Sequence, residues 1–594
     1  AKAEWMLKKF EEGYNDMYFI DDAFANVKAV KDILNKLDAK SEVVQAKLQF
    51  SKNLNRDFNK ILENKFGITG DRKITLNEAK MMGKGKLKWN YYVPPSAEDM
   101  KGLLRYFLTG GKKGTADMEF FKKSLLRPFA EGIRDLTIVK QKMSEEYKQL
   151  KKEYKDIDTK KQIEGTSYTV DTALRMYLWE KNGFEITDIS PREVKQLTDY
   201  IASNPKLIAF AETLGAISRI KEGYMKPGEF WMVENIASDL NTITSSNLRR
   251  EFLAEWIENK NIIFSKENLN KIEASLGSQF RESLENMLVR MEKGTNRMSG
   301  VKDGPTKNLY DWMNGAVGAT MFWNTRSAML QTISTVNFMN WQENNPFAIA
   351  RAMANVKQFS ADFAMIFNSP MLKQRRAGLE IDVSASELVN VFETHGKSPK
   401  AVLKYLLQKG FTPTRIADSF AIASGGASYY RNRYNMYLKQ GLSKIKAKEE
   451  AWLDFQELAE ETQQSSRPDF ISQQQAGPLG RVILPWHNTP MQMTRLMKKS
   501  LDDLVNRRIS EPGLTQWQSD KRNISRILYY GAVQNVWFYT LQSGLAWLMF
   551  GGSQDEELIE QKELAVANSA FDTLLRGTGV YGAAVSTLKN TIMR

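Results

Sequence analysis

ILYYGAVQNVWFYTLQSGLAWLMF, residues 527–550, runs 24 residues without a charged side chain in a chain that is otherwise basic and lysine-rich. As a helix it would span about 36 Å at ~1.5 Å per residue, enough to cross a hydrocarbon core about 30 Å thick. Lys521, Arg522 and Arg526 precede it, and Asp555, Glu556 and Glu557 follow. That asymmetry matches an N-terminal cytoplasmic side. Tyr529, Tyr530, Trp537, Trp547 and Phe550 are the candidate membrane contacts, four of them near the ends, where interfacial aromatics sit. Gln534, Asn535, Gln542 and Ser543 divide the run and favour polar partners over lipid. The expectation is one helix, or two broken near Ser543-Gly544, packed against residues 312–341, with membrane insertion as a conditional second state.

The rest of the chain does not read as a membrane protein. Its 594 residues suffice for three to four domains, with 42% apolar and 26% charged residues. Proline is scarce, at 16, and Ala, Leu, Lys, Glu, Gln and Met abound, which favours helix. The expected fold is all-α: elongated and multi-helical, with short irregular connectors and little or no β. A net charge of +14 and a pI near 9.3 suit contact with nucleic acid, anionic lipid or an acidic partner, or simply a basic protein with no polyanion partner. With no cysteine, disulfides, thiolate metal sites and cysteine nucleophiles are excluded; with two histidines, so is a His-rich metal site. No secretory signal opens the chain, its first residue is not Met, and both ends fall within helical patterns. It reads as a piece of a longer polypeptide, or a processed one.

Four regions follow from composition: a Lys-rich helical region (1–165), a helical middle region (166–299), an apolar helical core region (306–500) and a C-terminal region (501–594). Residues 1–66 read as long amphipathic helices, with Met6, Phe10, Tyr14, Met17 and Phe19 among the apolar repeats. At 84–92, Lys84, Lys86 and Lys88 interleave with Trp89, Tyr91 and Tyr92. Such a segment either stacks bases and holds phosphates or is a solvated loop with tucked aromatics. LTGGKKGT (108–115) lacks the phosphate-loop spacing and reads as a flexible turn between helices. Ser190-Pro191-Arg192-Glu193 and Ser384-Ala385-Ser386-Glu387 are capping boxes, and Asn204-Pro205 opens a turn or helix. GVKDGP (300–305) is the best linker candidate. Residues 312–341, with Arg326 as their sole charge after Asp311, read as a buried helix pair. Thr412 caps a helix that Gly425-Gly426 interrupts, and Ser443 caps the next. Arg431 and Arg433, set among Tyr429, Tyr430 and Tyr434, either meet phosphates or bridge helices. Residues 463–490, rich in proline, form an irregular segment in which His487 stands as a packed or hydrogen-bonded residue.

FWNTRSAMLQTISTVNFMNWQENNPFAIARAMANVKQF (322–359), TPTRIADSFAIASGGASYYRNR (412–433), EETQQSSRPDFISQQQAGPLGRVI (460–483) and YYGAVQNVWF (529–538) resemble segments of very large virion-internal proteins of tailed bacteriophages, including crAss-like phages. YYVPPSAEDMKGLLRYFL (91–108) and SYTVDTALRMYLW (167–179) belong to the same pattern. The resemblance covers most of the chain. It implies a cargo or ejection protein held inside the capsid or at the portal vertex, in multiple copies. Its partners would be other virion proteins, genomic DNA bound without sequence preference, and the host membrane. After ejection it would reside in the host envelope or cytoplasm. It implies no catalytic residue.

An enzyme is the competing class: a virion-associated polymerase or nuclease subunit, or a wall-degrading hydrolase. It requires clustered carboxylates, for which Asp418, Glu460, Glu461 and Asp469 are the candidates. No catalytic constellation, metal set or cofactor motif is found in the spacing. The weak nucleic-acid candidates are Lys84, Lys86, Lys88, Trp89, Arg431 and Arg433.

Overall fold

The computed structural model describes residues 2–14, 16–21, 40–45, 47–87, 93–220, 223–228, 231–296, 344–375, 413–462, 467–477, 487–511 and 513–533, with single residues and pairs between and beyond them. The linker at 300–305, nearly all of 312–341, the box at 384–387, and Lys88, Trp89, Tyr91, Tyr92, Trp537, Trp547 and Phe550 lie outside the described residues.

The fold is all-α, with one two-stranded ladder among the described residues. In chain order the elements are α1 (Lys2–Glu11), β1 (Asp16–Asp21), β2 (Lys40–Gln45), α2 (Lys47–Phe66), α3 (Leu76–Gly83), α4 (Met100–Arg105) and α5 (Gly111–Phe121). Then come α6 (Arg127–Glu153), α7 (Val170–Lys181), α8 (Pro191–Ala202), α9 (Pro205–Ser218), α10 (Ile236–Ser245), α11 (Asn247–Phe252), α12 (Ala254–Ile263), α13 (Lys266–Leu276) and α14 (Ser278–Lys293). The remainder are α15 (Pro346–Ala354), α16 (Val356–Phe367), α17 (Pro370–Arg375), α18 (Pro413–Lys439), α19 (Lys444–Thr462), α20 (Gln473–Ala476), α21 (Asn488–Val505) and α22 (Gln516–Leu528). Packing separates two units: Arg127–Trp256, and Ala1–Leu126 with Ile257–Arg594.

β1 and β2 correct the reading of residues 1–66 as helices throughout. They pair in parallel, with Asp16 opposite Lys40 and Asp21 opposite Gln45. Met17 and Phe19 satisfy a two-residue repeat as well as a helical one, and Val43-Val44 is β-branched. In the larger unit, Phe58 meets Phe107, Phe121 and Phe264 edge-on at 5.9–6.0 Å, the geometry that ring quadrupoles favour. α16, α18 and α19 build a second core around Phe363, Phe420 and Phe455. α18 runs unbroken through Gly425 and Gly426, where an interruption was expected. A Cβ on Gly426 would stand 2.3 Å from the Phe455 ring, so this glycine lets α19 close in rather than ending α18. Ser443 caps α19, accepting from the Lys446 N–H at 3.4 Å.

The unit Arg127–Trp256 has its own core around Trp179, Trp231 and Phe210. Ser190 and Glu193 form the predicted capping box, and Asn204 caps α9 with Pro205 at its first position. At the centre Arg175 donates to both oxygens of Asp239 at 2.6 and 2.8 Å and to the carbonyls of Trp231 and Glu234 at 2.8 Å. Its guanidinium lies 4.8 Å from the Trp179 ring centre, and the Tyr224 hydroxyl donates to Asp239 at 2.9 Å. Each of these buried charges is thus matched. Beside them Asp171 accepts from the first N–H of α10 at 3.2 Å; burial raises its carboxyl to about 6, against the pull of that N–H and Arg175.

Candidate functional site

α21 carries Arg495, Lys498, Lys499, Asp502 and Asp503 at offsets of 3, 4, 7 and 8, which places them along one face. Facing them are Glu98, Asp99 and Arg105, where Asp99 caps α4 by accepting from Gly102 at 2.7 Å. Lys498 binds Glu98, with the Val93 carbonyl and the Tyr106 hydroxyl at 3.2 and 3.1 Å. Lys499 binds Asp99 at 2.7 Å. One turn further on the signs reverse: Arg105 reaches Asp503 at 2.5 Å and Asp502 at 3.3 Å. Arg508 adds Asp502 at 2.5 Å and the carbonyls of Thr109 and Leu108 at 2.6 and 3.3 Å. Acid on base and then base on acid fixes both register and direction, because any slip by a turn opposes like charges.

The glycines of 108–115 serve this contact. α5 already begins at Gly111, where a flexible turn was expected. A Cβ on Gly114 would stand 2.0 Å from the Thr109 carbonyl oxygen, the atom that accepts from Arg508. Asp117 fixes the same turn by accepting from the Thr109 hydroxyl at 2.9 Å.

A second layer holds the irregular segment. It folds as a 3-10 turn, Pro468–Phe470, followed by α20, whose Ser472–Gln475 capping box is buried. Two buried arginines clamp it. Arg495 donates to the carbonyls of Phe470 and Ala97 at 2.9 Å and to the Gln475 amide oxygen at 2.8 Å. Arg290 donates to the Ile471 carbonyl at 2.7 Å. Burial lowers the pKa of both. Burial also raises Glu98 despite Lys498, whereas at Asp99 it is outweighed by Lys499 and Arg495, and the carboxyl falls.

Three of the candidate acids, Glu460, Glu461 and Asp469, act on the one Arg467 guanidinium, and each is held in the interior by cations rather than left open. Glu461 is held by Lys101 at 2.8 Å and Lys499 at 3.7 Å; burial opposes its ionisation, yet the two ammonium groups bring it down to about 2. Asp469 is bound by Arg467 at 2.7 Å, and Glu460 acts on the same guanidinium. Asp418 lies on α18, its side chain outside the described set. Among the described residues, no three His, Asp or Glu side chains are grouped so as to hold a metal ion. His487 takes the cap position of α21, half-buried.

Of the nucleic-acid candidates, Lys84 is exposed and Lys86 donates to the Ala274 carbonyl at 2.8 Å. Arg431 pairs with both oxygens of Asp362 at 2.6 and 2.8 Å and lies over Tyr434. Arg433 is buried, bound to Asp454 at 2.6 Å, Glu511 at 3.3 Å and the Tyr437 hydroxyl at 3.1 Å. Both arginines thus serve packing within the fold, the helix-bridging role. Of the membrane candidates, Tyr529 and Tyr530 are buried against Met493, Leu496 and Met497, in a π-helical turn that continues α22. The facing charges of α4 and α21 escaped sequence reading. Each is visible as a charged residue, but nothing local pairs positions about 400 apart.

No family model, curated protein or solved structure matches this chain.

Proposed function

We propose that this chain is a structural virion-internal protein of a tailed bacteriophage, stored in the capsid or at the portal vertex and ejected with the genome to meet DNA and the host membrane. The observation that carries the reading is how the uncharged run at 527–550 begins. α22 leads into it through a π-helical turn, and its first tyrosines, Tyr529 and Tyr530, are packed into protein. An apolar segment entered from a protein core suits storage in one setting and release in another. The helical, cysteine-free chain supports passage through a narrow tube, since no disulfide has to be broken. The ion pairs between α4 and α21 support it too. Buried ion pairs add little net stability over apolar packing but specify one arrangement, which favours a chain that must find its fold again. The charge of +14 supports binding to DNA by counterion release.

The test uses the purified chain with duplex DNA and with lipid vesicles across a salt series. Retention by both at low salt, with DNA affinity falling steeply as salt rises, is the expected result. Retention by neither removes the physical basis of an ejected role. Imaging of intact particles would locate the chain at the portal vertex or in the lumen, and its absence from both ends the proposal.

A further inference from the structure

α21 and α22 pack against each other as a hairpin joined by residues 506–515, and α22 is inside out. Its buried residues are Ser519, Arg522, Asn523 and Ser525, all polar. Trp517, Ile524 and Leu528, spaced 7 and 4 apart on one stripe, are 73%, 45% and 51% exposed. Leu501 and Val505, one turn apart at the end of α21, are 46% and 71% exposed. A helix on a water-facing surface turns its apolar stripe inward. Here the inner side also holds polar atoms without hydrogen bonds: both ends of the Asn523 amide, the Ser525 hydroxyl, and on α21 the Thr494 hydroxyl. Each is unfavourable in a dry interior. The polarity of α22 is therefore that of a helix whose outside is not water, whereas α21 buries Met493, Leu496 and Met497 in the ordinary way.

The charges around the stripe indicate what covers it. The exposed charges nearest in the chain are Arg507 and Lys521, both cations. The hairpin acids are engaged: Asp502 and Asp503 by Arg105 and Arg508, Glu511 by Arg433 and Arg522, Asp520 by Gln516. α22, at 13 residues, is too short to cross a bilayer, and no helix among the described residues is long and apolar enough to do so. An apolar stripe with a tryptophan at one end, flanked by cations and continuing into a 24-residue uncharged run, fits a helix lying in the headgroup layer. We infer that the α21–α22 hairpin is a docking surface for an anionic lipid bilayer. Trp517, Ile524 and Leu528 enter the interface, and Arg507 and Lys521 meet the headgroups. The contact thus falls on α22, one step before Tyr529 and Tyr530. The inference rests on the membrane-meeting part of the proposed function.

The test measures co-sedimentation of the purified chain with vesicles of phosphatidylglycerol and phosphatidylcholine, and of phosphatidylcholine alone. Wild type should prefer the anionic vesicles. The Trp517→Ser, Ile524→Ser, Leu528→Ser triple variant should lose about tenfold or more in partitioning. Arg507→Gln with Lys521→Gln should abolish the anionic preference. Because the chain has no cysteine, Ile524→Cys accepts a single environment-sensitive fluorophore, which should shift to the blue on adding anionic vesicles. If wild type binds and the triple variant binds equally, the inference falls while the membrane reading stands. If wild type binds no vesicle, the membrane reading falls with it. A blue shift that grows with protein concentration and ignores vesicles would mean that a second copy covers the stripe, which also overturns the inference.

Discussion

α7 and α22 are near-equal in length, at 12 and 13 residues, and each buries an arginine, yet they treat water oppositely. α7 surrounds Arg175 with Leu174, Met176, Leu178 and Trp179; Asp239 and two carbonyls meet its charge, and Tyr224 donates to Asp239. α22 surrounds Arg522 with Ser519, Asn523 and Ser525, leaves the Asn523 amide unmet, and shows its tryptophan to solvent. A buried arginine is therefore not the mark of either design. What separates them is whether the polar groups around it are satisfied and where the apolar side chains go.

The contrast can be broken at the Arg175 end first. Arg175→Met strands the Asp239 carboxylate in a dry core and should cost about 3–5 kcal/mol. Urea unfolding with hydrogen exchange read on α7 measures it, and adding Asp239→Leu should recover most of the loss. Next in size is the acid response of the α4–α21 network. Glu461 lies well below its ordinary value because Lys101 and Lys499 outweigh its burial, so its contribution is present above about pH 4.5 and lost as pH falls towards 2. Glu461→Gln should flatten the urea midpoint over that range. Asp171 has the opposite sign. Raised by burial to about 6, it favours the fold at low pH and loses that share as pH rises through 6. Asp171→Asn should gain about 1–2 kcal/mol at pH 8 and nothing at pH 4. Asn523→Leu sharpens the contrast from the other side: removing a buried, unpaired amide should stabilise the fold by about 1 kcal/mol. Smallest is Trp517→Ser, which should change the unfolding free energy by less than ~0.5 kcal/mol because the ring is 73% exposed.

Local signals in the sequence carried through to the fold. Ser190, Asn204 and Ser443 cap helices as their spacing suggests, because a cap depends on atoms three residues away. Signals that depend on a distant partner did not. Gly425-Gly426 reads as a break unless Phe455 is known to lie against it. Met17 and Phe19 fit a helix until β2 supplies the hydrogen bonds of a ladder. Arg431 and Arg433 read equally as phosphate ligands or as helix bridges until Asp362, Asp454 and Glu511 are placed beside them. The hairpin is the instructive case. Periodicity shows that α22 has two unlike faces, but which one turns inward is fixed by tertiary neighbours that no local pattern names.

The pairing of α4 with α21 has a consequence for synthesis. Lys498 and Lys499 leave the ribosome 400 residues after Glu98 and Asp99. At about 5–20 residues per second that is a delay of roughly 20–80 s. Through that interval the two acids of the α4 edge lack Lys498 and Lys499, the lysines that bind them in the finished fold. Arg127–Trp256, contiguous in the chain, completes its own core meanwhile. The larger unit closes last, and whatever shields that edge on the nascent chain governs how much of it reaches the finished fold.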